Sequence, residues 1–259
     1  SFGICPTYNC NLRCSYCGYN SANNDENILQ IDDVKAFVKD VIKRNTIKKH
    51  ILKSDEPLIV YFTGGGEPAY EWTSFKDIVV FIKQICDDNG ITIKMSVTTN
   101  GILNDDQILF ISRNFTRVMV SYDGLPSIQN KNRRGPGLFK TNDIVEHTIS
   151  KLTSLGVPIE VRTTVWKDDY HKLKDMYLHV FSLVSKESDV TWSVYPVLKE
   201  GRATDRINAQ SDETYHEFLL SYFELLDFIG SDSDVTRVFC PMFSDDTISY
   251  FCGSLLGSE

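Results

Sequence analysis

Short β-branched runs alternate along this chain with longer stretches of helical period, and no other feature limits the possible folds as strongly. Phe2 to Pro6, Leu58 to Phe62, Thr92 to Val97, Arg117 to Ser121, Ile159 to Val165 and Thr191 to Pro196 read as strands. Between and after them, Ile31 to Arg44, Ser74 to Asp88, Asp105 to Arg113, Asn142 to Leu155, Tyr170 to Ser185 and Ser211 to Ile229 read as helices. Strands separated by helices return parallel to one another, so the pattern predicts an α/β fold built on a parallel sheet, closed as a barrel or open. Some boundaries carry their own chemistry. Asn142 is placed to cap a helix that Gly156-Val157-Pro158 ends, and Ser211-x-x-Thr214 opens the last helix with acidic residues in its first turn.

The stretch Lys199 to Gln210 is polar, charged and broken by Gly201, and it reads as a linker. The expected organisation is therefore a domain over residues 1–200, followed over 201–259 by the linker, one helix and the start of a second module. That module, with Cys240 and Cys252, stops before a core could be completed. The first residue is Ser1 rather than Met, as expected of a chain that begins inside a longer one.

The chain carries 27 Lys and Arg against 35 Asp and Glu, a formal charge of −8, the wrong sign for a general binder of phosphate backbones. Nucleic acid is not expected as a partner. No apolar run reaches the roughly 18–20 residues that span a bilayer, and the N-terminus lacks the basic and apolar regions of an export signal. The expectation is a cytoplasmic protein with no membrane partner.

Four of the seven cysteines, Cys5, Cys10, Cys14 and Cys17, crowd into 13 residues. In a chain without an export signal such a cluster reads as a metal site rather than a disulfide framework. Cys86 instead lies in an apolar-periodic run, where a small buried hydrophobe is expected. The spacing Cys10-x3-Cys14-x2-Cys17 places three thiolates on one loop. Three thiolates can hold three irons of a cubane and leave the fourth open to a small chelating molecule. The alternative is a zinc site completed by Cys5, although the paired C-x-x-C knuckles common in such sites are missing.

Three further motifs follow strands: Gly64-Gly65-Gly66-Glu67-Pro68, Thr98-Thr99-Asn100-Gly101 and Ser121-Tyr122-Asp123-Gly124. In a parallel βα fold the carboxyl ends of the strands form one face, so these motifs and the cysteine loop share one rim. The glycine turn lacks the Gly-Lys-Ser/Thr of a phosphate loop and carries Glu67 where phosphate would want a cation. A carboxylate there suits a ligand ammonium, and Asn100, Ser121 and Asp123 suit hydroxyls and a carboxylate. Together they describe a site for an amino acid bearing a nucleoside.

At these residues the sequence resembles the radical S-adenosylmethionine (SAM) superfamily: the C-x3-C-x2-C loop with Tyr16 before the last cysteine, then Gly65-Gly66-Glu67-Pro68, Thr99-Asn100-Gly101 and Ser121-Tyr122-Asp123-Gly124. The Asn-Leu-Arg interior of the loop, the Asp-Gly motif and Asn132-Arg133 look most like the branch with a C-terminal auxiliary-cluster (SPASM or twitch) domain, which includes peptide maturases and anaerobic sulfatase maturases. The resemblance implies a partial (β/α)6 TIM-like barrel and a 4Fe–4S cluster held by Cys10, Cys14 and Cys17. It implies that SAM chelates the open iron and is reductively cleaved to a 5′-deoxyadenosyl radical, which abstracts a hydrogen from the substrate. Tyr16, through its backbone, and Val197, beside Pro196, would meet the adenine. Gly65, Gly66 and Glu67 would receive the SAM amino group, Ser121 and Arg133 its carboxylate, and Asn100 would lie near the ribose. Cys252-Gly253 resembles the start of an auxiliary-cluster site, to which Cys240 could contribute. Since the sequence ends at Glu259, the auxiliary 4Fe–4S cluster is expected only in a longer chain.

The expected function is modification of a ribosomally made precursor peptide, such as a side-chain crosslink, with electrons from a donor such as flavodoxin or ferredoxin. The alternatives are a sulfatase maturase that oxidises a Ser or Cys to formylglycine, and a non-catalytic iron–sulfur or zinc protein. No acid, base or radical-quenching residue is assigned. The five histidines, His50, His147, His171, His179 and His216, fall among charged neighbours and read as surface or satisfied groups. Asp168 and Asp169 read as an N-cap or a substrate-side acid or base, and the aromatic residues of Phe218 to Phe228 as packing.

Overall fold

The computed structural model describes residues 1–19, 28–52, 56–197, 212–230 and 237–240. Seven parallel strands lie side by side in chain order: β1 (Phe2–Ile4), β2 (Leu58–Phe62), β3 (Ile93–Thr99), β4 (Arg117–Ser121), β5 (Ile159–Val165), β6 (Val190–Pro196) and β7 (Val238–Phe239). Helices α1 (Ile31–Leu52), α2 (Trp72–Asp88), α3 (Asp105–Asn114), α4 (Pro126–Asn132), α5 (Asn142–Ser154), α6 (Leu173–Ser182) and α7 (Asp212–Ile229) fall between them. The arrangement is a partial TIM-like barrel. Sequential order follows from the connections, each a crossover back to the neighbouring parallel strand.

Alternation along the strands explains how the sheet is solvated. Val60 and Phe62 of β2, Val118 and Val120 of β4, and Val161 of β5 are buried in the main core. There Phe62 packs edge-on against Phe75 of α2 and against Phe115, with ring centroids 5.5 and 5.4 Å away. The opposite face carries Tyr61, Arg117, Met119, Ser121 and Arg162, all half-buried, and register places Ser121 beside Arg162. Strands buried on both faces would read as continuous apolar runs, so the mixed pattern marks this second face as the polar interior of the barrel.

Two elements depart from the sequence reading. The helix expected over Tyr170 to Ser185 is a 3₁₀ turn (Lys167–Lys172) followed by α6, and the turn buries Asp169 and Tyr170. Tyr170 is held there by Phe218 of α7, 5.2 Å away edge-on. Asn142 is not the cap of α5: the cap position belongs to Thr141, and the Asn142 side chain bonds Asn130 and Asp143.

The core also runs beyond residue 200. Phe218, Tyr222 and Leu225 of α7, with Val238 and Cys240, belong to the same buried cluster as the barrel. β7 pairs with β6 through Trp192–Val238 and Ser193–Phe239, and Arg237 donates to the carbonyls of Val190 and Ser188. The described part of 201–259 thus continues the barrel. The Lys199 to Gln210 linker, Ser211, Cys252 and Gly253 lie outside the described residues.

Candidate functional site

Apart from Arg133, which caps the C-terminal end of α4, each sequence-predicted site residue lies in the loop after β1 or at the carboxyl end of a strand. Tyr8 to Tyr19 follow β1, Gly64 to Glu67 follow β2, Asn100 follows β3, Ser121 ends β4, and Val197 follows β6. The cysteine loop is tied to the far side of this rim by backbone bonds: the Arg13 amide donates to the Arg134 carbonyl at 2.7 Å, and Ser15 to Asn132 at 2.8 Å. Within the loop the Arg13 guanidinium donates to the carbonyls of Cys10 and Leu12, and the Cys17 amide closes a turn onto Cys14.

The glycine motif is shaped by the strand-like segment just ahead of the cysteines. A Cβ on Gly66 would lie 2.1 Å from the Asn9 carbonyl oxygen, and one on Gly65 would enter the Tyr8 ring. Glycine there allows backbone to lie on backbone. The Glu67 amide then donates to Asn9 at 2.9 Å.

The Glu67 side chain faces inward. Its carboxylate accepts the Asn100 amide at 2.6 Å, the Thr99 hydroxyl at 2.8 Å and the Ala69 amide at 3.3 Å, and the residue is only 3% exposed. Burial pushes its pKa up to about 7 against these three bonds. The carboxylate fastens the ends of β2 and β3 together. Asn100 is engaged as well. Its amide donates to Asn11 at 2.6 Å and to the Cys10 thiol at 3.7 Å, and its carbonyl accepts the Ile102 amide.

On the other side of the loop, Tyr16 donates its hydroxyl to both oxygens of Asp123, at 2.6 and 2.7 Å. Arg133 donates Nε to the same carboxylate at 2.9 Å and lies over the Tyr16 ring, 5.3 Å from its centroid. Among the described residues no hydrogen bond leaves the terminal guanidinium nitrogens of Arg133. Burial alone would lower the Arg133 pKa, but Tyr16, Asp123 and Cys14 hold it up, so its charge persists. Val197 packs with Tyr16 and Trp166, whose rings are 6.3 Å apart.

The donor set fits an iron–sulfur cluster. Burial pushes the Cys14 thiol up to about 12, against the pull of Arg133, and Cys10 and Cys17 oppose its ionisation further. The Cys10 thiol is raised by burial and by Glu67. Cys10 and Cys14, neighbouring thiols that resist ionisation, become thiolates together only beside a cation. The Leu12 amide and the Asn100 side chain already point hydrogen-bond donors at the Cys10 sulfur, and the buried Ser15 hydroxyl finds no partner among the described residues. Cys5 is engaged locally. The Cys5 thiol donates to the Thr7 carbonyl, and among the described residues no three His, Cys, Asp or Glu converge as on a single ion. A cubane spreads its ligands over separate irons and does not need that convergence.

The remaining candidates are accounted for elsewhere. Cys86 is fully buried in α2, and Cys240 is buried after β7. His147 bonds Asp105 and His179 bonds Glu146 on the outer helices; His171 and His216 are exposed. Asp168 and Asp169 lie in the 3₁₀ turn capped by Trp166, and Asp169 is paired with Lys172 and Lys131. The sequence reading did not single out Trp166, or the Thr99 hydroxyl that holds Glu67. Trp166 follows β5 directly, and that position was its available signal.

A model of the radical SAM superfamily matches residues 4–180. The chain is 24% identical over 239 residues to a cysteine-type anaerobic sulfatase-maturating enzyme of Clostridium perfringens (strain 13 / Type A), covering 89% of this chain and 61% of that enzyme. It is 28% identical over 187 residues to a GTP 3',8-cyclase of Clostridium perfringens (strain SM101 / Type A), covering 71% and 51%. Among solved structures, native anSMEcpe with bound AdoMet superposes with a TM-score of 0.71 at 23% identity, covering 92% of this chain and 62% of that one. Streptococcus suis SuiB bound to precursor peptide SuiA gives 0.63 at 14%, covering 92% and 48%. In each case the chain spans less than two thirds of the relative's length. No helix among the described residues is long and apolar enough to cross a membrane.

Proposed function

The chain belongs to the radical SAM superfamily, and from that premise we propose that it binds a 4Fe–4S cluster through Cys10, Cys14 and Cys17 and SAM across the rim, to modify a peptide. Enzymes of this superfamily use that cluster with SAM. Bound there, the pair supplies an electron that splits the S–C5′ bond and a 5′-deoxyadenosyl radical that abstracts hydrogen from substrate. The observation that carries the reading is convergence: the loop that bears the three thiols touches Asn100 at one end and Asp123 and Arg133 at the other.

The chain's own residues divide the binding work. The backbone of Gly65 to Glu67 receives the SAM amino group, with the Glu67 carboxylate holding that segment from behind. Ser121 and the terminal nitrogens of Arg133 receive the carboxylate. Asn100 borders the ribose while holding Asn11 and Cys10. The Tyr16 backbone and Val197 enclose the adenine, with Trp166 excluding water beside them. An auxiliary-cluster segment would begin after β7, since α7 and β7 share the barrel core.

The proposed substrate is a ribosomally made precursor peptide, modified for instance by a side-chain crosslink, with flavodoxin or ferredoxin as electron donor. The sulfatase-maturating relative of Clostridium perfringens favours a second reading, oxidation of a Ser or Cys to formylglycine. Both are tested by incubating the reconstituted enzyme, SAM and reductant with a short precursor encoded beside its gene and with a sulfatase-derived peptide. Tandem mass spectrometry should locate a crosslink in the first or formylglycine in the second. SAM cleavage with neither peptide altered would refute peptide modification.

A further inference from the structure

Asp123 is fully buried and stands where three different parts of the site meet. Its Oδ1 accepts from the Tyr16 hydroxyl at 2.6 Å and from Arg133 Nε at 2.9 Å. Its Oδ2 accepts from the same hydroxyl at 2.7 Å and from Asn132 Nδ2 at 3.2 Å. The Asp123 amide donates to Gln129, Gln129 donates to Thr141, and the Thr141 hydroxyl returns to the Arg133 carbonyl at 3.0 Å. The result is a closed network around one carboxylate. Solvating a buried arginine would need only part of it. The tyrosine that takes both oxygens lies between two of the three cysteines, and α4, which carries Asn132, ends beside the loop amides it binds.

We propose that Asp123 is a positioning residue for SAM: a single carboxylate clamps the Tyr16 side of the cysteine loop and the Arg133 guanidinium to the end of β4, so that both meet the cofactor as one rigid unit. The proposal rests on the functional reading above. A carboxylate suits the task because it accepts from three donors and presents no hydrogen of its own. An amide in its place would set its NH2 against a donor and leave Arg133 without an opposite charge.

The test is Tyr16→Phe in the anaerobically reconstituted chain. The change deletes the hydroxyl but keeps the ring beneath Arg133 and the Asp123–Arg133 pair. We expect wild-type iron content, a modestly lowered unfolding temperature and a SAM Kd raised by up to about tenfold, the ceiling set by one charge-assisted bond. The reduced cluster should give the wild-type EPR spectrum without SAM and an altered one with SAM, a signature that a purely structural role would not produce. Asp123→Asn should weaken SAM binding further. If wild type binds iron and SAM and Tyr16→Phe matches it in Kd and in the SAM-bound spectrum, the clamp is overturned. If wild type binds neither, the functional reading falls with it.

Discussion

Gly66 is the position at which one carbon atom should separate the fold from the site. A Cβ there would stand 2.1 Å from the Asn9 oxygen, 2.6 Å from the Tyr8 carbonyl carbon and 2.7 Å from the Thr7 oxygen, where ordinary contact begins at 3.4 Å. All three atoms are backbone, so no side chain can swing away, and the segment must retreat by roughly 1 Å. That retreat breaks the Glu67 amide bond to Asn9 and moves the residues leading into Cys10. Overpacking of this kind costs about 1–3 kcal/mol in stability, and a displacement of about 1 Å at a reacting site can cost on the order of a hundredfold in rate. Gly66→Ala should therefore fold with a lowered urea midpoint, bind less iron on reconstitution and cleave SAM at least tenfold more slowly. Gly3→Ala is the control, since its Cβ would meet only the Tyr61 oxygen at 3.9 Å. If Gly66→Ala matches Gly3→Ala in midpoint, iron content and SAM cleavage, the packing argument is refuted.

Glu67 predicts a pH dependence. Its folded pKa of about 7 lies above the ordinary 4.5, so its contribution to stability is complete below the ordinary value and is lost as pH rises through 7. In iron-free protein the unfolding free energy of wild type relative to Glu67→Gln should fall by about 3 kcal/mol between pH 4 and 8; a constant difference in urea titrations would contradict this. In the core, Phe62→Ala should cost about 3–5 kcal/mol because Phe62 is fully buried against Phe75 and Phe115, and an unchanged urea midpoint would show that this layer does not carry the fold.

The sequence was most legible where local pattern and tertiary burial agree. β2, β4 and β5 span the same residues in the structure as in the sequence, because their alternation is the alternation between helix-covered and interior faces. α1 runs on to Leu52, past the Arg44 end expected from the sequence, and the Thr46 hydroxyl bonds the Ile42 carbonyl inside the helix. α4 is only seven residues long and opens on Pro126, too short for a periodic signal. β7 is two residues, visible only through its pairing with β6.

The site was legible as positions but not as directions. The motifs announce that residues 10–17, 64–67, 98–101 and 121–124 share a rim, and they do. Spacing alone could not show that Glu67 turns inward to Thr99 and Asn100, or that Tyr16 and Arg133 meet on one carboxylate. Those contacts join residues 10 to 107 positions apart, and most depend on how neighbouring strands are set against each other.

The central claim is that three thiols on one loop and the polar rim beside them form a single SAM-cleaving centre. Its most direct measurement is 5′-deoxyadenosine formed from SAM by the anaerobically reconstituted, dithionite-reduced protein, with iron counted in the same sample. The account predicts about four irons for the open cubane and steady 5′-deoxyadenosine production, both abolished when Cys10, Cys14 and Cys17 are all replaced by alanine. Iron and cleavage retained in the triple variant, or a loaded wild-type cluster that leaves SAM intact, would contradict it.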